Sequence, residues 1–116
     1  YHLSKSKIAI NISRGKYQNL YSSDRISSLI GNGLLVFIES KTKLNKIFKD
    51  KKEVIFFKNK KDLVKKIIFY LKNDKVRIQI AKKGCEVYHN NFSNINLVRF
   101  ILNELKFTKD KINWFK

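Results

Sequence analysis

Two arginines and a run of hydroxyls and glycines gather in the first third of the chain. They lie in Asn11-Ile12-Ser13-Arg14-Gly15, in Tyr21-Ser22-Ser23-Asp24-Arg25-Ile26 and in Gly31-Asn32-Gly33, which precedes the apolar run Leu34-Leu35-Val36-Phe37-Ile38. Guanidinium groups carry forked donors that match phosphate oxygens. A glycine such as Gly15 lets backbone approach an anion closely. A helix beginning near Ser22 or Ser23 adds free N–H groups and a partial positive charge. The chemistry such residues can do is the holding of a phosphorylated anion. Each also has an ordinary structural use. Arg25 could pair with Asp24, and Asp24 suits a helix N-terminus better than the role of catalytic base. Ser13, Ser22 and Ser23 are equally natural turn and cap residues, and Tyr17 and Tyr21 could stack on a ligand or simply pack.

The surrounding pattern says what must position these groups. Lys7 to Ile12 sets Ile8, Ile10 and Ile12 on one face at period two, a strand. Ser13 to Tyr21 reads as a loop, and a short helix follows to Ile30, stopped by Gly31-Asn32-Gly33. Leu34 to Ile38 is apolar throughout, the mark of a strand covered on both faces of a parallel sheet. Thr42 to Phe48 forms a short helix or turn with Leu44, Ile47 and Phe48 inward, and Glu53 to Phe57 a third strand. Asn59 opens a helix with Asp62 as a capping-box-like partner and Leu63, Val64, Ile67, Ile68 and Leu71 as its apolar face. A second helix runs from about Lys75 to His89 with Val76, Ile80, Ala81, Gly84, Val87 and Tyr88 inward. After a turn at Asn90 to Asn94, a third spans Ile95 to Leu105 with Val98, Ile101, Leu102 and Leu105 inward. Phe56, Phe57, Phe69, Phe92 and Phe100 are expected in the core. The alternation of strands and helices demands a parallel sheet with helical crossovers, an α/β fold of three layers. In such open sheets, ligands bind beyond the carboxyl ends of the strands.

Composition narrows the class. At 116 residues with 43% hydrophobic content, the chain suits one folded domain and is too apolar for disorder. A three-stranded sheet starting at Tyr1 suggests a piece of a longer protein. The single cysteine, Cys85, excludes an internal disulfide and points to a reducing compartment; it reads as a small buried apolar residue. His2 and His89 lack metal-ligand spacing, and no metal is expected. The net charge of +17 invites a nucleic-acid or membrane reading. However, the positive residues are mostly lysines spread along the chain. With abundant Ile and Asn and no proline, such a composition follows from biased base usage alone.

Over residues 1 to about 105, the chain resembles the C-terminal half of group 1 glycosyltransferases of the two-domain GT-B fold, in particular the spore-maturation-protein-like branch. The resemblance rests on Asn11 to Gly15, Tyr21 to Ile26 and Leu29 to Leu35. It rests also on Asp62-Leu63-Val64-Lys65-Lys66-Ile67 with Tyr70-Leu71, and on Arg77-Ile78-Gln79-Ile80-Ala81-Lys82-Lys83-Gly84. Asn90-Asn91-Phe92-Ser93 stands where the family often has a histidine and a hydroxyl. The resemblance implies a Rossmann-like donor-binding domain over 1–106 with a tail over 107–116 that carries Trp114 and Phe115. It implies transfer of a sugar from a nucleotide-diphosphate sugar to an acceptor hydroxyl, in glycan or surface polysaccharide synthesis and without a cofactor. The donor diphosphate would lie on Arg14, Arg25, Gly15 and Ser13, and its sugar or nucleoside on Tyr21, Ser23, Asp24, Ser28 and Gly33, with Gly33 also permitting close helix–strand packing. In many relatives a glutamate five residues before the strand-opening glycine binds the donor ribose; Ser28 holds that position here. No catalytic acid–base pair emerges. The resemblance assigns the acceptor site and base to an N-terminal domain, so that this part would be inactive alone. The expected location is cytoplasmic, with peripheral contact to an anionic membrane through the basic surface. Two other classes remain open: a basic α/β nucleic-acid-binding module, and a degenerate domain that only mediates contacts.

Overall fold

The computed structural model describes residues 5–13, 19, 20 and 24–106. The elements are β1 (Ile8–Asn11), α1 (Asp24–Gly31), β2 (Leu35–Glu39), β3 (Ile55–Phe57), α2 (Lys60–Lys72), α3 (Asp74–Phe92) and α4 (Asn94–Glu104). Two 3-10 turns, Ser40–Thr42 and Leu44–Lys46, join β2 to the segment before β3. The sheet is parallel in the order β1-β2-β3, with Ile8 beside Leu35, Ile10 beside Phe37 and Ile38 beside Phe56. Helices cover both faces, which makes the α/β, Rossmann-like architecture that the strand–helix alternation predicts.

The central strand fixes the core. Leu35, Val36, Phe37 and Ile38 are wholly buried, because a middle strand between two helical layers meets water on neither face. Val36 and Ile38 join Ile26, Leu29 and Ile30 of α1, with Leu44, Phe48, Val54 and Phe56. Leu35 and Phe37 join Ile55, Phe57, Tyr70, Ile80 and Ala81 on the opposite face. Burial of a side chain such as Phe37 contributes about 2 kcal/mol. Phe37 also meets Tyr70 edge-on, ring centroids 6.0 Å apart. Burial pushes the Tyr70 hydroxyl above its ordinary pKa, so the phenol stays neutral.

Helix α3 is the unusual element. Its first turns lie under the amino end of β1, where Arg77 donates to Lys7 O at 3.2 Å. Ile80 and Ala81 enter one core layer, while Tyr88 and Phe92 pack against the other. The helix therefore crosses the amino-terminal edge of the sheet from one face to the other. Gly84 makes the crossing possible: its Cα rests on the Glu53 carbonyl, where a Cβ would collide. Arg77, the first residue of the arginine–glycine pattern, is buried and held by Asp74 through Nε at 3.1 Å and Nη2 at 3.0 Å. The guanidinium, hydrogen-bonded to the carboxylate, holds Asp74 below the ordinary carboxylate range.

Several expectations need correction. Ile10 and Ile12 are exposed, because β1 is an edge strand and its isoleucine face is covered only at Ile8; the covered face at its carboxyl end bears Ala9 and Asn11. Helix α2 turns Leu63, Ile67 and Tyr70 to the core and leaves Val64, Ile68 and Leu71 exposed. Its apolar stripe is wider than the sheet it covers. Phe69 is likewise exposed, and Phe92 and Phe100 are only half-buried. Helix α3 runs on through the expected turn to Phe92, broken only at Ser93, whose Oγ accepts from Asn96 N and caps α4. Val76 is exposed. Helix α4 has no buried residue; Val98, Ile101 and Leu105 are exposed, because among the described elements α4 packs mainly on α3. The capping of α2 is reciprocal but displaced by one residue: Asn59 accepts from Asp62 N, while Asp62 accepts from Lys58 N, both at 3.0 Å. Cys85 is half-buried with its thiol toward Gly31 O, not a core residue.

Candidate functional site

The carboxyl ends of the strands bring β1, β2 and the first turn of α1 to one rim of the sheet. Asn11 ends β1 and is buried, at 4% exposure. Two residues on, Ser13 N donates to Glu39 Oε2 at 3.3 Å, which ties the start of the following loop to the end of β2. Among the described residues, Asn11 Oδ1 and Ser13 Oγ are buried with no hydrogen-bond partner. Buried polar atoms are nearly always paired, and these two near the carboxyl end of β1 stand out among the described residues. Farther along, Leu20 N donates to Thr42 O at 2.9 Å, with Leu20 in the left-handed region at φ 59°. A leucine there is strained, a cost that clusters at functional segments. Thr42 is buried and its hydroxyl donates to Glu39 O at 2.7 Å, while Ser40 Oγ donates to Phe57 O at 3.1 Å. The rim at Glu39 is thus braced from β1, from the turn and from β3.

Helix α1 begins at this same rim. Ile26, Leu29 and Ile30 face the core, which leaves Asp24 and Ser28 one turn apart on the exposed side with Arg25 beside them. No ion pair of Arg25 occurs among the described residues, including with Asp24. Its guanidinium is free to meet an anion at the helix N-terminus, where the backbone N–H groups favour negative charge.

Of the residues singled out from sequence, Ser13, Asp24 and Arg25 come to the rim. Ser28 lies a turn farther down α1, and its carbonyl accepts from Asn32. Gly33 is at the other end of the sheet, ahead of β2, with φ 75° and nothing within 4 Å of a Cβ built there. It serves the left-handed chain reversal after α1 rather than close helix–strand packing, which Gly84 provides instead. Arg14, Gly15, Tyr17, Tyr21, Ser22 and Ser23, like His2, Trp114 and Phe115, fall outside the described residues. His89 is exposed, with Nε2 3.0 Å from Gly31 O. Glu39 is the functional candidate that sequence reasoning passed over. Its signal was available: a carboxylate closing a wholly apolar strand at the carboxyl edge. Among the described residues, no group of three or more His, Cys, Asp or Glu side chains is arranged to hold a metal ion. No helix among them is long and apolar enough to cross a membrane.

A Rossmann-like α/β domain with polar groups gathered on its carboxyl-end rim is consistent with a glycosyltransferase domain. The family comparison agrees: the chain belongs to the glycosyl transferase-like family, whose model matches residues 2–103. No curated protein and no solved structure matches the chain significantly.

Proposed function

We propose that this domain binds the donor of a glycosyl transfer, a nucleotide-diphosphate sugar, on the carboxyl-end rim. The observation that carries the reading is the meeting there of the α1 N-terminus with Arg25, the Ser13–Glu39 bond and the unpartnered Asn11 Oδ1 and Ser13 Oγ. As the sugar–phosphate bond breaks, negative charge builds on the departing diphosphate. Arg25 and the free N–H groups of α1 stabilise it where it develops. In this reading Arg14 and Gly15, which follow Ser13 in the sequence, contribute a second guanidinium and a glycine to the diphosphate site. Asn11 and Ser13 hydrogen-bond the donor. Glu39 accepts from a ribose or sugar hydroxyl and does the work that Ser28 is too short and neutral to do. Tyr21, Ser23 and Asp24 border the sugar or nucleoside.

The acceptor hydroxyl and its base come, in this reading, from a second domain of the group 1, GT-B arrangement, in the spore-maturation-like branch. The surrounding lysines hold the protein at the inner face of an anionic membrane. The test is Arg25→Ala in the enzyme that contains both domains. Loss of a charge-assisted phosphate contact lowers turnover about tenfold or more. Undiminished turnover refutes the phosphate role. Calorimetry with uridine, guanosine and thymidine diphosphates then identifies the base, and absence of binding by all of them refutes donor binding.

A further inference from the structure

At the end of the sheet opposite the rim, the turn before β3 and the middle of α3 enclose a groove of about 540 Å³. Lys49, Lys51 and Lys52 enter it from the turn, and Lys82 and Lys83 from α3, over a floor formed by Val76 and Ile80. All five lysines are exposed at the level of the whole residue. The two carboxylates present offset only part of this charge. Glu53 is buried, at 5% exposure, and its Oε2 accepts from the backbone N–H of Lys49 at 3.0 Å. Among the described residues, Glu86 pairs with Lys83 alone, at 3.4 Å. Lys49, Lys51, Lys52 and Lys82 have no ion pair among the described residues.

We propose that this groove is a second anion site, one that takes a phosphorylated group and is separate from the donor rim. Three physical features support it. Like charges gathered in a concavity focus a positive potential and repel one another, and a bound polyanion relieves that repulsion. The two walls are fixed before any ligand arrives. Lys51 N donates to Val54 O at 2.9 Å and Phe56 N to Asp50 Oδ1 at 2.9 Å, which shapes the turn. Gly84, resting on the Glu53 carbonyl, holds α3 against that turn. The backbone that carries the lysines is therefore in place, and binding has only their side chains to order. Finally, the size falls among small-ligand sites and fits a phosphate-bearing headgroup rather than a length of nucleic acid. Ammonium groups serve as point charges for phosphate. The phosphorylated group could belong to a soluble metabolite or to a phospholipid headgroup; the chemistry that recognises them is the same.

Calorimetry with inorganic tripolyphosphate and co-sedimentation with phosphatidylcholine vesicles containing phosphatidylglycerol separate these sources. Lys52→Ala/Lys82→Ala is compared with Lys61→Ala/Lys65→Ala, which removes equal charge from the exposed side of α2, and with Arg25→Ala at the rim. All these side chains are exposed, and unchanged melting shows that the fold survives. The groove variant is expected to weaken binding of at least one probe by about tenfold or more, and the α2 variant by about twofold. Tripolyphosphate binding that depends on the groove supports a soluble ligand. Vesicle binding that depends on it supports a lipid headgroup. Equal losses in the groove and α2 variants, loss only with Arg25→Ala, no binding of either probe, or tighter groove-dependent binding of a single-stranded oligonucleotide would each overturn the proposal.

Discussion

Replacing Gly84 by alanine puts a methyl group where the Glu53 carbonyl already sits. The added Cβ would overlap the carbonyl oxygen and stand 3.1 Å from the carbonyl carbon and 3.6 Å from Glu53 Cα. Ordinary carbon contacts are near 3.5–4.0 Å. The obstacle is backbone just ahead of β3, so no side-chain rotation relieves it. Either α3 lifts from the sheet edge or the turn moves, and both disturb two core layers, because α3 contributes Ile80 and Ala81 to one and Tyr88 and Phe92 to the other. Overpacking of this kind costs roughly 1–3 kcal/mol and occasionally more; with backbone as the obstacle, about 3 kcal/mol is expected. In a domain of this size that lowers the melting temperature by roughly 10–15 °C. Two other glycines serve as controls. At Gly31 the added Cβ would meet Tyr88 Cε1 at 3.5 Å, an ordinary contact, so Gly31→Ala is expected to be neutral or slightly stabilising. Gly33 has open space but φ 75°, so Gly33→Ala costs about 1 kcal/mol from backbone strain alone. Thermal unfolding followed by circular dichroism ranks the three. If Gly84→Ala melts at or above Gly33→Ala, the sheet-edge crossing of α3 is wrong.

Asp74→Asn removes the carboxylate that holds the buried Arg77, and it should lower the melting temperature at neutral pH while leaving Arg77 bonded to Lys7 O. Because the folded carboxyl of Asp74 lies below its ordinary value of 3.8, its stabilisation is present above that pH and is lost as pH falls through the folded value. The melting curves of wild type and variant should therefore converge below about pH 4, and curves that stay parallel to lower pH would remove the linkage. Glu39→Gln keeps the shape of the rim but weakens a charged acceptor. It should lower nucleotide-sugar affinity about tenfold by calorimetry while the bond to Ser13 N persists, and unchanged affinity would dismiss Glu39 as a donor ligand.

The layered fold was legible because its signals are local. An unbroken apolar run from Leu34 to Ile38, short and closed by glycines at its start, reads as a strand covered on both sides, and Asn59 with Asp62 marks a helix start. Amphipathic stripes were less informative. Val64, Ile68, Val98 and Ile101 fit helical periodicity as well as Ile67 does, yet periodicity states only that a face is apolar, not that a neighbour exists to cover it. The same limit applies to Ile10 and Ile12, whose period-two pattern is correct for a strand but silent about its place at the sheet edge. Gly84 shows the converse. Its need for close approach arises from Glu53, a contact 31 positions away in sequence (84 against 53), and no local pattern carries it.

The site divides along the same line. Arg25 and Asp24 were legible, because a helix N-terminus announces itself through its own first turn. Glu39 was not, since its value depends on Ser13 arriving beside it from a different strand, and the Ser13–Glu39 bond exists only once β1 and β2 are parallel and in register. That register also places Asn11 beside Ile38, on the covered face of the edge strand, where its side-chain oxygen has no partner among the described residues. An aliphatic side chain there would avoid the cost of a buried, unpaired polar group, roughly 1–3 kcal/mol. The asparagine is thus poorly suited to stability alone, and that contrast, polar where the sheet would prefer apolar, is what the proposed donor site rests on.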